Sequence, residues 1–295
     1  MQKIHLLSAF GTALLLAATA AHAVSLVGLT TDNRLTSFDS SNPSALSPFL
    51  TISGVTPGAR IVGIDTRPSD NMIYGVGTDN KVYRIDPTSG VATLHSTLTG
   101  ASIDPNLKYG MDFNPVADAA GTASLRLVSS SGSNFAINAN TGAVGNAAAT
   151  IQSNFGEVAY TNSNPAGTMA PASTKLYYID FVSDQLYVAN SAFNTPTINL
   201  VGSLGIDTIG AFGFDILADG SAYASLTSAI TGQGGLYSIN LTSGAATLLG
   251  GFGVSSPLLA GLTAAPVPEP GHYAMMLSGL GLVGFAVRRR QRQAA

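Results

Sequence analysis

From residue 24 onward apolar residues come in short runs, many alternating with polar ones, and clusters of Gly, Pro, Asn, Asp, Ser and Thr separate the runs. This texture predicts β-strands joined by tight turns rather than amphipathic helices. The stretch from Val62 to Leu98 displays the unit, with strand-like runs at Arg60–Asp65, Met72–Gly77, Lys81–Asp86 and Val91–Leu98. Thr78-Asp79-Asn80 turns the second run into the third, and Pro87-Thr88-Ser89-Gly90 turns the third into the fourth. Pro presets the first corner of such a turn, and Gly is free to take positive φ.

The same order recurs downstream. A further unit runs through Tyr109–Asn114, Leu125–Ser130, Asn134–Ala139 and Ala143–Thr150. Another takes Gly156–Tyr160, Leu176–Phe181, Gln185–Ala189 and Thr197–Leu204, interrupted by an insertion at 162–174, and a last one takes Gly213–Ile216, Ser221–Leu226, Gly235–Asn240 and Ala245–Phe252. The anchors Gly63, Gly110, Gly156, Gly213 and Gly261 are 47, 46, 57 and 48 residues apart, near the period of about 40–50 expected for the blades of a β-propeller. The first unit, Leu26–Thr30, Arg34–Asp39 and Ala45–Ile52, lacks an inner strand, and Ala260–Thr263 carries the missing pattern at the far end. The expectation is an all-β propeller of five four-stranded blades over residues 24–265, closed by a strand near 260–264 that completes the first blade. A different blade count is the next alternative, and a sandwich or β-solenoid the last. Closure removes the exposed edge that invites aggregation.

The two ends read differently. Residues 1–23 carry Lys3, an apolar run and Ala21-His22-Ala23, the pattern of a secretory signal peptide cleaved after Ala23. Residues 266–271 form a Pro-rich spacer, and 272–292 hold an apolar run followed by Arg288, Arg289, Arg290 and Arg292. This predicts a C-terminal transmembrane helix with its basic end in the cytoplasm. Pro268-Glu269-Pro270, the helix and the basic cluster together resemble the PEP-CTERM sorting signal of Gram-negative bacteria. The resemblance implies an exosortase-type processing enzyme as partner, transient anchoring in the membrane, and delivery of the rest to the cell surface or beyond. Gly279, Gly281 and Gly284 spell a dinucleotide fingerprint, but no strand precedes them and no βαβ unit surrounds them.

Composition narrows the chemistry. The chain has no Cys, so disulfides, thiol nucleophiles and Cys-based metal sites are excluded. Of 13 Lys and Arg, Lys3 and the four C-terminal arginines lie at the ends, whereas all but one of the 16 Asp and Glu lie between residues 24 and 267. An acidic folded region does not suit nucleic acid. His95 is the one His between the two ends. Its place in an outer strand predicts a partly exposed side chain, and no serine elbow accompanies it. Glu157 is the one Glu of the repeats, so no carboxylate pair for glycoside hydrolysis can be picked out. No catalytic residue is assigned.

Aligned on their inner strands, Asp65, Asp112, Tyr160, Asp215 and Thr263 share one level of the blades and predict a polar ring at the central channel. Hydrogen bonds from each carboxylate to backbone N–H groups of its own or the next blade are the expected role. A cation such as Ca²⁺ bound by the ring is the alternative, so neither a cofactor nor a metal is assigned. Asp32, Asp79, Asp86 and Asp219 are expected to shape turns. The repeats resemble the exported family named domain of unknown function 4394, through Gly63-Ile64-Asp65-Thr66-Arg67-Pro68, Ile73-Tyr74-Gly75 and Val82-Tyr83-Arg84-Ile85-Asp86. That likeness implies a propeller and export and brings no activity. The expected function is a non-enzymatic binding or structural role at the cell envelope or in the extracellular polysaccharide matrix. The alternative is a lyase or hydrolase acting on polysaccharide through Asp and Tyr at the channel mouth, with Tyr109, Tyr160, Tyr177 and Tyr178 as candidates.

Overall fold

A computed structural model describes residues 23–266, apart from 153, 166–167 and 254–256. The described residues form five four-stranded antiparallel sheets. Blade 1 contains β1 (Ser25–Thr30), β2 (Arg34–Asp39) and β3 (Leu50–Thr51), with β20 (Leu259–Ala264) as its inner strand. Blade 2 is β4 (Ile61–Arg67), β5 (Met72–Gly77), β6 (Lys81–Ile85) and β7 (Ala92–Thr97). Blade 3 is β8 (Tyr109–Phe113), β9 (Ser124–Ser129), β10 (Asn134–Asn138) and β11 (Val144–Gly145). Blade 4 is β12 (Phe155–Tyr160), β13 (Leu176–Asp180), β14 (Gln185–Ala189) and β15 (Asn199–Ser203), and blade 5 is β16 (Thr208–Ile216), β17 (Ala222–Ser228), β18 (Gly234–Ile239) and β19 (Ala246–Gly251).

Ring closure follows the expected route. β20 pairs antiparallel with β1, Val27 opposite Thr263 and Gly28 opposite Leu262, so the last strand of the ring joins the first three. The expected outer strands of blades 1 and 3 shrink to two residues each. These outermost strands have a partner on one side alone, and short edges are the safer ones. One helical turn, α1 (Pro115–Ala119), was not expected from the strand pattern. Asn114 caps it, accepting from the Val116 and Ala117 N–H groups, and Pro115 sits where a missing N–H costs nothing.

The anchor glycines have a steric reason. A Cβ at Gly110 would lie 2.4 Å from the Glu157 Cα and 2.6 Å from the Val158 nitrogen, so β8 packs on the backbone of β12 with no room for a methyl group. Gly213 has φ of 113° and would bring a Cβ to 2.4 Å from the Leu262 nitrogen. Neighbouring inner strands therefore touch backbone to backbone around the axis. The remaining space between blades is filled by apolar side chains, among them Ile64, Leu29 and Ile73 between blades 1 and 2 and Val76, Met111 and Leu125 between blades 2 and 3.

Turn residues add a second contact between blades. Asn33, Asn80 and Asp184 each take positive φ between the second and third strands of their blades. Their side chains reach onward to the chain leading into the next blade: the Asn33 Oδ1 accepts from the Ile61 N–H at 2.9 Å and the Asp184 Oδ1 from the Thr208 N–H at 3.1 Å, each at the first residue of the next inner strand, and the Asn80 Oδ1 accepts from the Ile103 N–H at 2.7 Å, in the loop before β8. At the rim, Ser53 and Thr99, just past the outer strands of blades 1 and 2, bond the Gly90 and Gly142 turns of the following blades. Asp86 and Asp219 accept from the backbone two residues on, as turn formers do, while Asp32 accepts from Thr30 and Arg34, and Asp79 accepts from the Tyr83 hydroxyl.

Two outcomes test this account. Gly110→Ala should lower the melting temperature by several degrees, an overpacking cost of about 1–3 kcal/mol. Gly145→Ala, whose new Cβ would meet nothing nearer than 3.5 Å, should leave it within about a degree. Ending the chain after Phe252 should abolish cooperative thermal unfolding, because β1 loses its inner partner and the ring is left open; ending it after Ala265 should preserve the transition.

Candidate functional site

An inner strand has one edge paired within its own blade and the other facing the axis, and the N–H groups on that free edge need acceptors. The sequence supplies them from the neighbouring blade. The Asp65 Oδ2 of blade 2 accepts from the Phe113 N–H of blade 3 at 2.9 Å, and the Asp215 Oδ2 of blade 5 accepts from the Ala264 N–H of blade 1 at 2.6 Å. The Thr263 hydroxyl of blade 1 accepts from the Thr66 N–H of blade 2 at 2.9 Å and donates to the Asp65 Oδ1 at 3.1 Å. Asp112 of blade 3 faces the Tyr160 N–H of blade 4 in the same relation. Asp65, Asp112 and Thr263 thus each lie one residue before the strand position, Thr66, Phe113 or Ala264, whose N–H the preceding blade takes.

Strand register corrects one member of the expected ring. Asp65 pairs opposite Tyr74, Asp112 opposite Arg126, Asp215 opposite Tyr223 and Thr263 opposite Val27, whereas in blade 4 the residue at that level is Ala159, opposite Tyr177. Tyr160 lies one residue further along: its N–H is the one that Asp112 faces, which puts it level with Thr66, Phe113 and Ala264. One step along a strand turns a side chain to the other face, so Tyr160 is fully buried away from the ring, its ring against Phe193 and its hydroxyl 3.4 Å from the Arg126 Nε. The ring is therefore Asp65, Asp112, Ala159, Asp215 and Thr263.

Three of these side chains converge. One carboxylate oxygen each from Asp65, Asp112 and Asp215 lies within 4.8 Å of the others, and all three residues are buried. Burial, and then the charge of Asp215, hold the Asp65 carboxyl well above the usual carboxylate range; burial and the charges of Asp65 and Asp215 do the same to Asp112. Burial pushes Asp215 up to about 6, against the pull of the N–H groups of Ala264 and Ile216. Among the described residues no Lys or Arg pairs with any of the three. The donor set, three carboxylates and a hydroxyl, is all oxygen and suits a hard cation.

The cluster borders a cavity of about 430 Å³ at one mouth of the channel, lined in part by Asp65, Thr66, Asp215, Ile216, Thr263 and Pro266. At the other mouth Glu157, buried on β12, is raised well above its ordinary value by burial, with the Gly213 N–H and the Lys108 charge acting against the rise. The Lys108 Nζ lies 4.4 Å from the ring centres of both Phe181 and Phe212. Sequence reasoning missed this group, although a lone Glu within the otherwise apolar run Phe155–Tyr160 is a visible signal.

The other candidates are engaged in packing and in contacts between blades, Arg67 at the wall of the first cavity and Tyr109 beside Lys108 and Glu157 at the second mouth. His95 is half-buried on β7, its ring edge-on to Tyr74 and its Nε2 3.3 Å from the Asn140 Oδ1. Tyr109, Tyr177 and Tyr178 lie in the packing between strands. Arg67, quoted in the sequence motif, bonds the buried Asp118 of α1 through its Nε at 2.7 Å and so fastens blade 2 to blade 3. Ala23 and the expected sorting residues Pro268, Glu269 and Pro270 differ in standing: Ala23 is described without regular structure, while the sorting motif, the C-terminal helix at 272–292 and the rest of the signal peptide lie outside the described residues. Among the described residues no helix is long and apolar enough to cross a membrane.

The raised carboxyls fix the sign of a pH effect. A carboxyl whose folded pKa exceeds its unfolded value binds protons more tightly in the folded state, so its stabilising contribution is full below the unfolded value and is lost as pH rises through the folded one. In chelator-treated protein the melting temperature should fall as pH rises from about 4 through 6, with Glu157 acting in the same direction. Asp215→Asn should flatten that fall.

No curated protein matches the chain. Among solved structures, the chain is similar to one in a nidogen/laminin complex (12% identity, 82% of this chain and 98% of that one, TM-score 0.49). It is also similar to regucalcin, a calcium-binding protein from Agrobacterium tumefaciens (14%, 80% and 72%, TM-score 0.44), and to a 6-phosphogluconolactonase candidate from Bacteroides uniformis (11%, 78% and 82%, TM-score 0.39). The PEP-CTERM protein-sorting motif matches residues 266–290, which marks the chain for export, surface sorting and processing by an exosortase-type enzyme. The profile of the domain of unknown function DUF4394 matches residues 34–263, from the second strand of blade 1 to the closing strand, and the chain belongs to that family.

Proposed function

We propose that this protein is a non-catalytic propeller that its sorting signal delivers to the cell surface or the extracellular matrix, where it serves as a binding or structural component in contact with extracellular polysaccharide. The observation that carries this reading is where the fold ends. β20 completes the ring at Ala264, and the sorting motif begins at residue 266. Removal of the tail therefore costs the propeller no strand, and a finished module is what a delivery signal needs to release.

The binding role draws support from the mouth cavity, whose volume of about 430 Å³ is in the range of small-ligand sites. The non-catalytic part draws support from the engagement of Asp65, Asp215 and Thr263 with backbone N–H groups of neighbouring blades. Carboxylates held in that way act as fixed acceptors. Glycoside hydrolysis instead needs an acid and a base facing one accessible bond.

The exported chain should be retained on extracellular polysaccharide isolated from its own matrix, with no increase in reducing ends or unsaturated sugar absorbance over hours. Retention without product supports the proposal. Product formation abolished by Asp112→Asn would replace it with an enzyme, and absence of retention would remove the polysaccharide contact. Mass spectrometry of surface material should find the chain ending near Pro268–Pro270; an intact Arg292 there would contradict processing.

A further inference from the structure

From the geometry of the axial cluster we infer that Asp65, Asp112 and Asp215, with the hydroxyl of Thr263, form a divalent-cation site, of a kind suited to Ca²⁺, that ties blades 1, 2, 3 and 5 together at the mouth of the channel. Three observations meet here. The first is spacing: one oxygen from each carboxylate lies within 4.8 Å of the others, and oxygens sharing a Ca²⁺ at roughly 2.3–2.6 Å are at most about 5 Å apart. The second is an unsatisfied atom. The Asp112 Oδ1 is buried without a hydrogen-bond partner, on a residue only 2% exposed, and an orphaned buried acceptor calls for a ligand. The third is charge: three carboxylates stand together with no Lys or Arg paired to them among the described residues, and buried charges are normally paired or bound to metal.

The hydrogen bonds already made do not compete with an ion. A carboxylate oxygen has two lone-pair directions. The Asp65 Oδ1 accepts from the Thr66 N–H and the Thr263 hydroxyl, the Asp65 Oδ2 from the Phe113 N–H and the Asp215 Oδ2 from the Ala264 N–H, so these bonds fix the carboxylates in place while the Asp65 Oδ2 and the Asp112 Oδ1 keep lone pairs for a metal. Preorganisation of this kind favours binding, since no side chain has to be ordered on entry. Asp65, Asp215 and Thr263 also line the 430 Å³ cavity, which supplies a path for the ion and room for the waters that complete a sphere of six to eight oxygens. Mg²⁺ demands near-ideal octahedral geometry and gives up its waters reluctantly, so a buried cluster of irregular donors favours Ca²⁺. The blade that contributes no ligand is the fourth, where Ala159 occupies the ring position.

The site opens on the same cavity, but its test reads bound metal and melting temperature with no polysaccharide present and is independent of that contact. Exported protein treated with chelator and exchanged into neutral buffer is titrated with CaCl₂ and, in parallel, with MgCl₂, while melting temperature is followed and bound metal is counted by elemental analysis. Wild-type protein is expected to bind one Ca²⁺ per chain and to melt on the order of 5–10 °C higher at a hundredfold excess over the dissociation constant, with a smaller shift in Mg²⁺. Asp112→Asn keeps an oxygen toward the Tyr160 N–H and removes a charged ligand. It should retain the fold and lose most of the Ca²⁺-dependent shift, with binding at least tenfold weaker. Two results would overturn the inference: no Ca²⁺-dependent shift and no bound metal in wild-type protein, which would mean that protons neutralise the cluster, or an undiminished shift in Asp112→Asn, which would place the ion elsewhere.

Discussion

The structure depends on how the free edges of five inner strands are satisfied where they meet. Each inner strand presents unpaired backbone N–H groups toward the axis, away from bulk water, and leaving them unpaired would cost about as much as losing the hydrogen bonds outright. The solution is a side-chain acceptor on the preceding blade. Thr263, Asp65 and Asp215 each take an N–H from the next strand round the ring, and short polar side chains suit the task because the backbones are in contact at Gly110 and Gly213. Crowding and hydrogen bonding are therefore one constraint: glycine lets the strands touch, and an aspartate or threonine uses that proximity.

The same logic repeats farther from the axis. Asn33, Asn80 and Asp184 accept from the chain leading into the following blade, and the Gly90 and Gly142 turns bond the chain that leaves the preceding outer strand. Blade contacts are thus polar at the axis, at the turn and at the rim, with apolar layers between them. Arg67 and Asp118 add an ion pair between blades 2 and 3. Because each blade leans on the next, the ring is stable only when closed, which is why β20 has to return to β1. The cost of the arrangement is local: packing acceptors tightly at the axis brings three carboxylates together, where burial raises the pKa of each.

Much of this was legible in the chain. The strands of blade 2 were placed almost to the residue by alternation and turn chemistry, as were β2, β14 and the closing strand. The repeat of Thr31-Asp32-Asn33 at Thr78-Asp79-Asn80 located equivalent turns, though not that their asparagines bond the neighbouring blade. Alignment of the inner strands found Asp65, Asp112, Asp215 and Thr263 but placed Tyr160 where Ala159 belongs. Gly110 packs on Glu157, so the anchor level of blade 4 falls one residue after Gly156, and an alignment on the glycines misplaces this strand. Asp118 was invisible for a similar reason, since its partner Arg67 is distant in sequence and α1 is a single short turn.

By itself the sequence determined the repeat, the blade count, the order of strands and the route by which the ring closes, because these follow from local periodicity, turn residues and a fixed spacing of glycines. The export and sorting signals were also plain in it, being linear patterns that need no partner in space. Tertiary structure alone decided which polar residues act across a blade boundary and which merely turn the chain. It also decided that three carboxylates spread over 150 residues come within 4.8 Å of one another. Distances of that kind depend on the closure of the ring and the register of each inner strand, and both are set by contacts between blades.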